Sequence, residues 1–155
     1  MSSFVATVFH KRIDYTIIII KMLIIRPAAK KDWATIKKIL QELDLYYAAL
    51  TFDAFFVAEN ENGIIGTAQF RNFNGFNFLS SLAVVPNEQK KGIASAFIKE
   101  FISSSALPIY LYTILPAFFE KFGFKITQPI PALPSKDLYE CEDCHLDKCV
   151  CMAKG

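Results

Sequence analysis

The chain has 155 residues, of which 53% are hydrophobic and 15 are phenylalanine, with 17 Lys and Arg against 15 Asp and Glu. This composition excludes a disordered chain and suits one domain with a sizeable core. The near-even charge gives no support for a nucleic-acid or polyanion partner. The four cysteines all fall at Cys141, Cys144, Cys149 and Cys151. A secreted disulfide framework would spread them along the chain, so the expected compartment is reducing, that is, cytoplasmic.

Residues 1–21 read as an N-terminal extension, and residues 22–155 as the domain with its cysteine-containing tail. The most apolar stretch, "TIIIIKMLIIRPA", is broken by Lys21. It is shorter than the roughly 20 apolar residues of a membrane span, so no membrane partner is expected. No small-residue cleavage site follows it. Met22 is an alternative start, because "MLIIRPA" already opens a strand. Leu23 to Arg26 is that strand, ended by Pro27. Asp32 is the expected N-cap of a helix whose apolar residues Trp33, Ile36, Ile39, Leu40 and Leu43 recur at helical spacing.

"LDLYYAALTFD" fits a short helix or a loop. "AFFVAE", "IIGTAQFRNF" and "FNFLSSLAVV" read as three antiparallel strands joined at Asn62-Gly63 and Asn74-Gly75, both hairpin signals. A helix from about Gly92 to Ser104 buries Ile93, Phe97, Ile98 and Phe101. "PIYLYT" is a strand, "PAFFEKF" a short helix opened by Pro116 and stopped by Gly123, and "FKIT" another strand. A proline-rich loop, a short helix near Asp137 and a last strand at "CVCMA" close the chain. The order describes an α+β domain around one mixed sheet.

At "VVPNEQKKGIASAF" a strand stops at a proline and a helix begins behind a glycine. The first N–H groups of a helix have no internal partner and sit at the positive end of its dipole, which suits an anion. The pattern Val84-x-Pro86-x-x-Gln89-x-x-Gly92-x-Ala94 resembles the acyl-CoA loop of the GNAT superfamily of N-acetyltransferases, Q/R-x-x-G-x-G/A between a strand and the following helix. "AFFEKFGF" resembles the later helix of that superfamily, and the resemblance covers roughly residues 22 to 124.

It implies the acyl-CoA N-acyltransferase fold, a mixed central sheet with helices on both faces, and acetyl-CoA as co-substrate. The cofactor's pyrophosphate would lie on the backbone N–H groups of Gln89, Lys90, Lys91, Gly92, Ile93, Ala94 and Ser95. Gly92 would let the backbone come close to the phosphates. Leu82, Ala83 and Val84 would offer backbone groups to the pantetheine arm, in a wedge opened where this strand splays from "PIYLYT". Phe119 would border the wedge where many relatives carry a tyrosine that protonates the leaving thiolate, a route phenylalanine cannot supply. The phenylalanine and the later "LP" and methionine-bearing strand resemble the N-acetylglutamate synthase-like and arsenic-resistance acetyltransferase-like branches. Many members of those branches carry arginine where Ser80 stands here.

The implied activity is acetyl transfer to the amine of a small molecule or amino acid. The alternatives are a non-catalytic acyl-CoA-binding module and a metal or redox sensor, and self-association into a homodimer is open. Ser81, Glu59, Tyr112 and His145 are candidate bases, each also readable as an ordinary core or rim residue, and the catalytic residue is left unknown. The tail spacing C-x2-C-x4-C-x-C could hold a metal through its thiolates, with His145 able to replace one. Its ordinary reading is reduced cysteines packed as small hydrophobes, and no metal is expected.

Overall fold

The computed structural model describes residues 23–136 and 148–155. Seven strands form one sheet in the order β1-β2-β3-β4-β5-β7-β6. They are β1 (Ile24–Pro27), β2 (Phe55–Asn60), β3 (Gly63–Phe73), β4 (Phe76–Val84), β5 (Ile109–Thr113), β6 (Lys125–Ile126) and β7 (Val150–Lys154). The helices are α1 (Trp33–Glu42), α2 (Ile93–Ser104) and α3 (Pro116–Glu120). β1 to β4 are an antiparallel meander, β4 and β5 run parallel, and β7 lies antiparallel between β5 and β6.

The alternation of side chains along each strand builds two cores. Phe55 and Val57 pack with Ile36, Ile39 and Leu40 of α1 on one face. Ala58, with Ala68 and Leu79 from β3 and β4, packs with Ile93, Phe97, Ile98 and Phe101 of α2 on the other. Helices therefore cover both faces, as the resemblance implies. Phe101 stacks on Phe70 with ring centroids 4.3 Å apart. Gly66 lets α2 sit this close: a Cβ there would lie 3.2 Å from both the Ala83 carbonyl and the Phe97 ring. On the first face, the loop after β6 brings Leu133 onto Phe76, Phe78 and Cys151.

The second hairpin turns where the sequence marks it. Phe73 pairs with Phe76, and Gly75 between them takes φ +91°, which glycine adopts without a Cβ penalty. The "LDLYYAALTFD" stretch forms turns and loop with no helix, and buries Tyr47 and Leu50.

Asp32 departs from its expected role. It precedes α1, but its carboxylate makes no capping bond to that helix. It turns back to accept the Ala29 N–H at 2.7 Å and the Arg26 guanidinium at 2.8 Å. Arg26 also donates to Glu59 at 2.8 Å. The competing partner is an arginine on β1, which offers a charge-assisted bond stronger than a cap. The N-terminal extension, the helix near Asp137 and the residues Cys141, Cys144 and His145 lie outside the described residues.

Candidate active site

The site begins where β4 and β5 part. Their pairing is confined to Asn77 with Ile109 and Phe78 with Tyr110. From Leu79 onward β4 has no strand partner on that side among the described residues. The base of the opening is held by Asn77, which is 5% exposed. Its N–H donates to the Pro108 carbonyl at 2.8 Å, its side-chain oxygen accepts from Asn72 at 2.8 Å, and its amide donates to the Ser105 hydroxyl.

A bulge deforms the free edge of β4. Gln69 pairs with Ser80 and Thr67 with Ala83, so Ala68 alone faces both Ser81 and Leu82. Ser81 takes φ +52°, a left-handed conformation uncommon for a residue with a Cβ. Such a bulge breaks the ladder locally and leaves backbone groups of residues 81–82 without a cross-strand partner.

After Val84 a short turn, Pro86–Glu88, leads to Gln89. The Gln89 amide donates to the Val84 carbonyl at 2.9 Å and closes the loop onto the strand end. Lys90 has φ +64° and Gly92 φ +84°, so the chain reverses sharply before α2. Gly92 precedes the first residue of α2 and has no side chain with which to cap it. Its carbonyl accepts the Ala96 N–H at 3.0 Å, while the preceding helical N–H groups face the loop. The space in front of Gly92 is open, with no atom within 4 Å of a Cβ built there. Within the protein, then, it is the left-handed φ that calls for glycine.

Of the other loop residues, Ile93 is buried in the core and can offer only its backbone, as can Ala83. Lys91 pairs with Glu88 at 3.2 Å, which takes up part of its charge, and Lys90 is exposed. Leu82 and Val84 are half-buried and pack against the same cluster as Phe119. Phe119 is 8% exposed, edge-on to the rings of Phe118 at 5.1 Å and Phe124 at 5.8 Å. It is therefore largely covered by its own aromatic neighbours.

The candidate bases separate. Glu59 is held by Arg26 on β2, two strands from β4, which is about 10 Å at a sheet spacing of about 4.8 Å. Tyr112 on β5 faces the side of the sheet opposite α2, and its hydroxyl donates to the Pro134 carbonyl at 2.7 Å. Burial, with smaller contributions from Cys151 and Cys149, pushes its phenol above the ordinary value. Ser81 is at the bulge itself. Burial likewise pushes the Cys151 thiol up, which keeps it protonated and unreactive.

Sequence reasoning passes over a group of polar residues on the side of the sheet that carries Tyr112. Gln69 is 1% exposed, and its amide donates to the carbonyls of Thr51 at 3.2 Å and Asp53 at 2.8 Å, pinning the loop after α1 to the sheet. The Ser80 hydroxyl donates to the Gln69 carbonyl oxygen at 3.4 Å. The Thr67 hydroxyl is buried with no hydrogen-bond partner among the described residues, and so is Nε of Arg71. The only sequence signal for this group is the strand alternation of residues 67, 69 and 71.

These features coincide with a known family. The Acetyltransferase (GNAT) domain family matches residues 51–126. The chain carries a GNAT acetyltransferase domain. Domains of this family are N-acetyltransferases, and the seven-stranded sheet with its parted β4 and β5 is their fold. Rv2747 from Mycobacterium tuberculosis, crystallised with CoA, is similar at a TM-score of 0.66 and 17% identity, over 84% of this chain and 97% of that one. N-acetylglutamate synthase from Neisseria gonorrhoeae, in complex with coenzyme A and L-arginine, is similar at 0.67 and 16%, over 86% of this chain. This chain spans only 33% of that synthase. Arabidopsis thaliana Naa50, bound to the bisubstrate analogue CoA-Ac-MVNAL, is similar at 0.62 and 18%, over 86% of this chain and 99% of that one. At these identities the likeness is one of fold. No curated protein matches the chain by sequence. No helix among the described residues is long and apolar enough to cross a membrane.

Proposed function

We propose that the protein transfers the acetyl group of acetyl-CoA directly to the amine of a small molecule or amino acid. The observation that carries this reading is the uncapped start of α2 behind left-handed Gly92, set at the end of a strand that has lost its neighbour. Open space at Gly92 fits a phosphate-bearing cofactor, because no atom of the described residues lies within 4 Å of a Cβ built on the residue that precedes the free N–H groups of α2. The backbone of Gln89 to Ser95 would hold the pyrophosphate, with Lys90 adding charge. Leu82, Ala83 and Val84 would hold the pantetheine arm by backbone groups, and Phe119 would border the wedge. When bound, the cofactor supplies an activated acetyl thioester.

The residues of the chain have two tasks in this reaction. A backbone N–H freed by the bulge at Ser81 and Leu82 holds the thioester oxygen, where negative charge develops. The side of the sheet that carries Ser80 and Tyr112 presents the amine, which must first lose its ammonium proton to water. Nitrogen then bonds to the acetyl carbon as the carbon–sulfur bond breaks. The leaving thiolate, with a thiol pKa of about 8.5, needs no dedicated acid at neutral pH. This agrees with Phe119 standing where a phenol would donate, and with the Tyr112 hydroxyl already donating to Pro134.

Residues 22–155 would form this domain, with residues 1–21 outside it. The clustering of the cysteines in residues 141–151 favours a reducing, cytoplasmic setting. Thiol release from acetyl-CoA, measured across amino acids, polyamines and peptide N-termini, tests the proposal. Release well above the buffer rate with at least one class supports it. CoA binding without release for any amine would instead identify an acyl-CoA-binding module.

A further inference from the structure

Among the described residues Arg71 is a cation without an anion. It lies on β3 opposite Phe78, and its guanidinium carbon sits 5.4 Å from the Phe73 ring and 5.9 Å from the Phe78 ring. Its Nε is buried and has no hydrogen-bond partner among those residues. The ion pairs among the described residues are Arg26 with Asp32 and Glu59, and Lys91 with Glu88; none reaches Arg71. A desolvated donor left unpaired is costly, more so when charged. A planar guanidinium oriented by flanking rings and lacking a partner is suited to receive a planar anion through paired N–H bonds.

Its position says which anion. The β3–β4 register puts Gln69 opposite Ser80 and Arg71 opposite Phe78, so all four side chains share one face. Tyr112 joins that face from β5, its ring 5.5 Å from that of Phe78. Tyr47, buried in the loop after α1, is near enough to feel the charges of Arg71 and Asp53. Arg71 is two residues along β3 from the Gln69–Ser80 pair, which borders the bulge. That is about 7 Å, within reach of an arginine side chain plus one small amino acid. The phosphate cradle is elsewhere: Phe78 and Val84 are separated by about 20 Å of strand. Arg71 is thus close to the place of transfer and far from the cofactor's phosphates.

We infer that Arg71, with Ser80 on the same face of the sheet, binds the carboxylate of the acceptor, so that the substrate is a free amino acid or similar carboxylated amine and not a peptide N-terminus. This inference rests on the acetyl-transfer reading for the amine's fate, but the carboxylate site can be tested apart from it.

The test compares the twenty amino acids with their amides and decarboxylated amines, in the full chain and in Arg71→Met and Arg71→Lys. In the unmodified protein at least one amino acid should exceed its amide in kcat/KM by on the order of 100-fold, the size expected of a bidentate charged pair. Arg71→Met should collapse that ratio to near one, mainly through KM, and Arg71→Lys should keep part of it. The binding arm uses the free amino acids alone as probes of melting temperature. They should raise it in the unmodified protein and not in Arg71→Met. If no amine is acetylated yet this shift appears and depends on Arg71, the acetyl-transfer reading fails and the carboxylate site stands. Equal rates for acids and amides in the unmodified protein, or a ratio unchanged in Arg71→Met, would overturn it. So would the lack of any ligand-induced shift in the absence of turnover.

Discussion

Replacing Gly92 separates the anion site from the fold. At φ +84° any residue with a Cβ pays for the left-handed conformation, about 1–2 kcal/mol. No atom lies within 4 Å of the added Cβ, so no steric cost from the protein comes on top. Gly92→Ala should therefore lower the melting temperature by about 2–8 °C for a domain of this length. Gly92→Glu carries the same backbone cost, but its carboxylate lies beside the free N–H groups of α2. There a negative charge stabilises a helix by about 0.3–1 kcal/mol. The glutamate variant should melt at or slightly above the alanine variant. Binding should go the other way. Two unit charges about 4 Å apart repel by about 4 kcal/mol at an effective dielectric of about 20, and solvent at this exposed loop reduces that. A loss of CoA affinity of at least about 100-fold remains, against a much smaller loss for alanine. Calorimetry with CoA and melting curves on both variants provide the readings. Unchanged CoA affinity in Gly92→Glu would remove the start of α2 from the site. A glutamate variant melting far below the alanine variant would show that the substitution acts on the fold.

Three further outcomes are expected. Phe119→Tyr should lose about 1–3 kcal/mol, because the new hydroxyl enters a site only 8% exposed and walled by Phe118 and Phe124; an unchanged melting temperature would mean that the ring edge reaches water. A chain lacking residues 1–21 should melt cooperatively and bind CoA, since β1 begins at Ile24; loss of cooperative melting would assign the isoleucine run to the core. The Arg26 hydrogen bond holds the Asp32 carboxyl below its ordinary value, against the opposing effect of burial. A depressed folded value gives stability that is present above the unfolded value of about 3.9 and lost as pH falls through the folded one. Asp32→Asn should remove that part of the acid slope in urea melts between pH 5 and pH 2, and an unaltered slope would rule the pair out as its source.

The parts of this structure that are legible in the sequence are those fixed by local chemistry. Asn74-Gly75 makes its turn because glycine alone takes φ +91° there without cost. The spacing of Ile93, Phe97, Ile98 and Phe101 puts one face of α2 into the core because the helical period leaves no other arrangement. Pro86, Gln89 and Gly92 mark the loop by type and spacing. What is not legible depends on partners far along the chain. Asp32 looks like an N-cap until Arg26, paired with Glu59 across the β1–β2 ladder, takes its carboxylate. Arg71 carries no signal of its own in the sequence, because its surroundings form only when β4 lays Phe78 across from it. Phe119 looks like a residue at the mouth of a wedge, because its neighbours in sequence do not reveal that Phe124 folds back over it.

The departures from local preference gather where the chemistry is proposed. Left-handed backbone at a non-glycine residue costs free energy and persists only when the surroundings over-determine it. Among the described residues it occurs at Asp44, Ala54, Ser81 and Lys90. Ser81 frees the backbone at the bulge, and Lys90 turns the chain toward the start of α2. Ala54 follows Asp53, whose carbonyl takes the Gln69 amide and fixes the loop that carries Tyr47 to the side of the sheet where Arg71 stands. Three of the four strained residues thus shape, respectively, the place of transfer, the anion cradle and the acceptor side. A stable sheet had no need of any of them: β3 and β4 could have paired without a bulge, and β5 could have continued alongside Leu79. That the chain instead keeps the bulge, the parted strands and an unpartnered arginine on one stretch of sheet is the physical reason to read this stretch as a binding site and not as irregular packing.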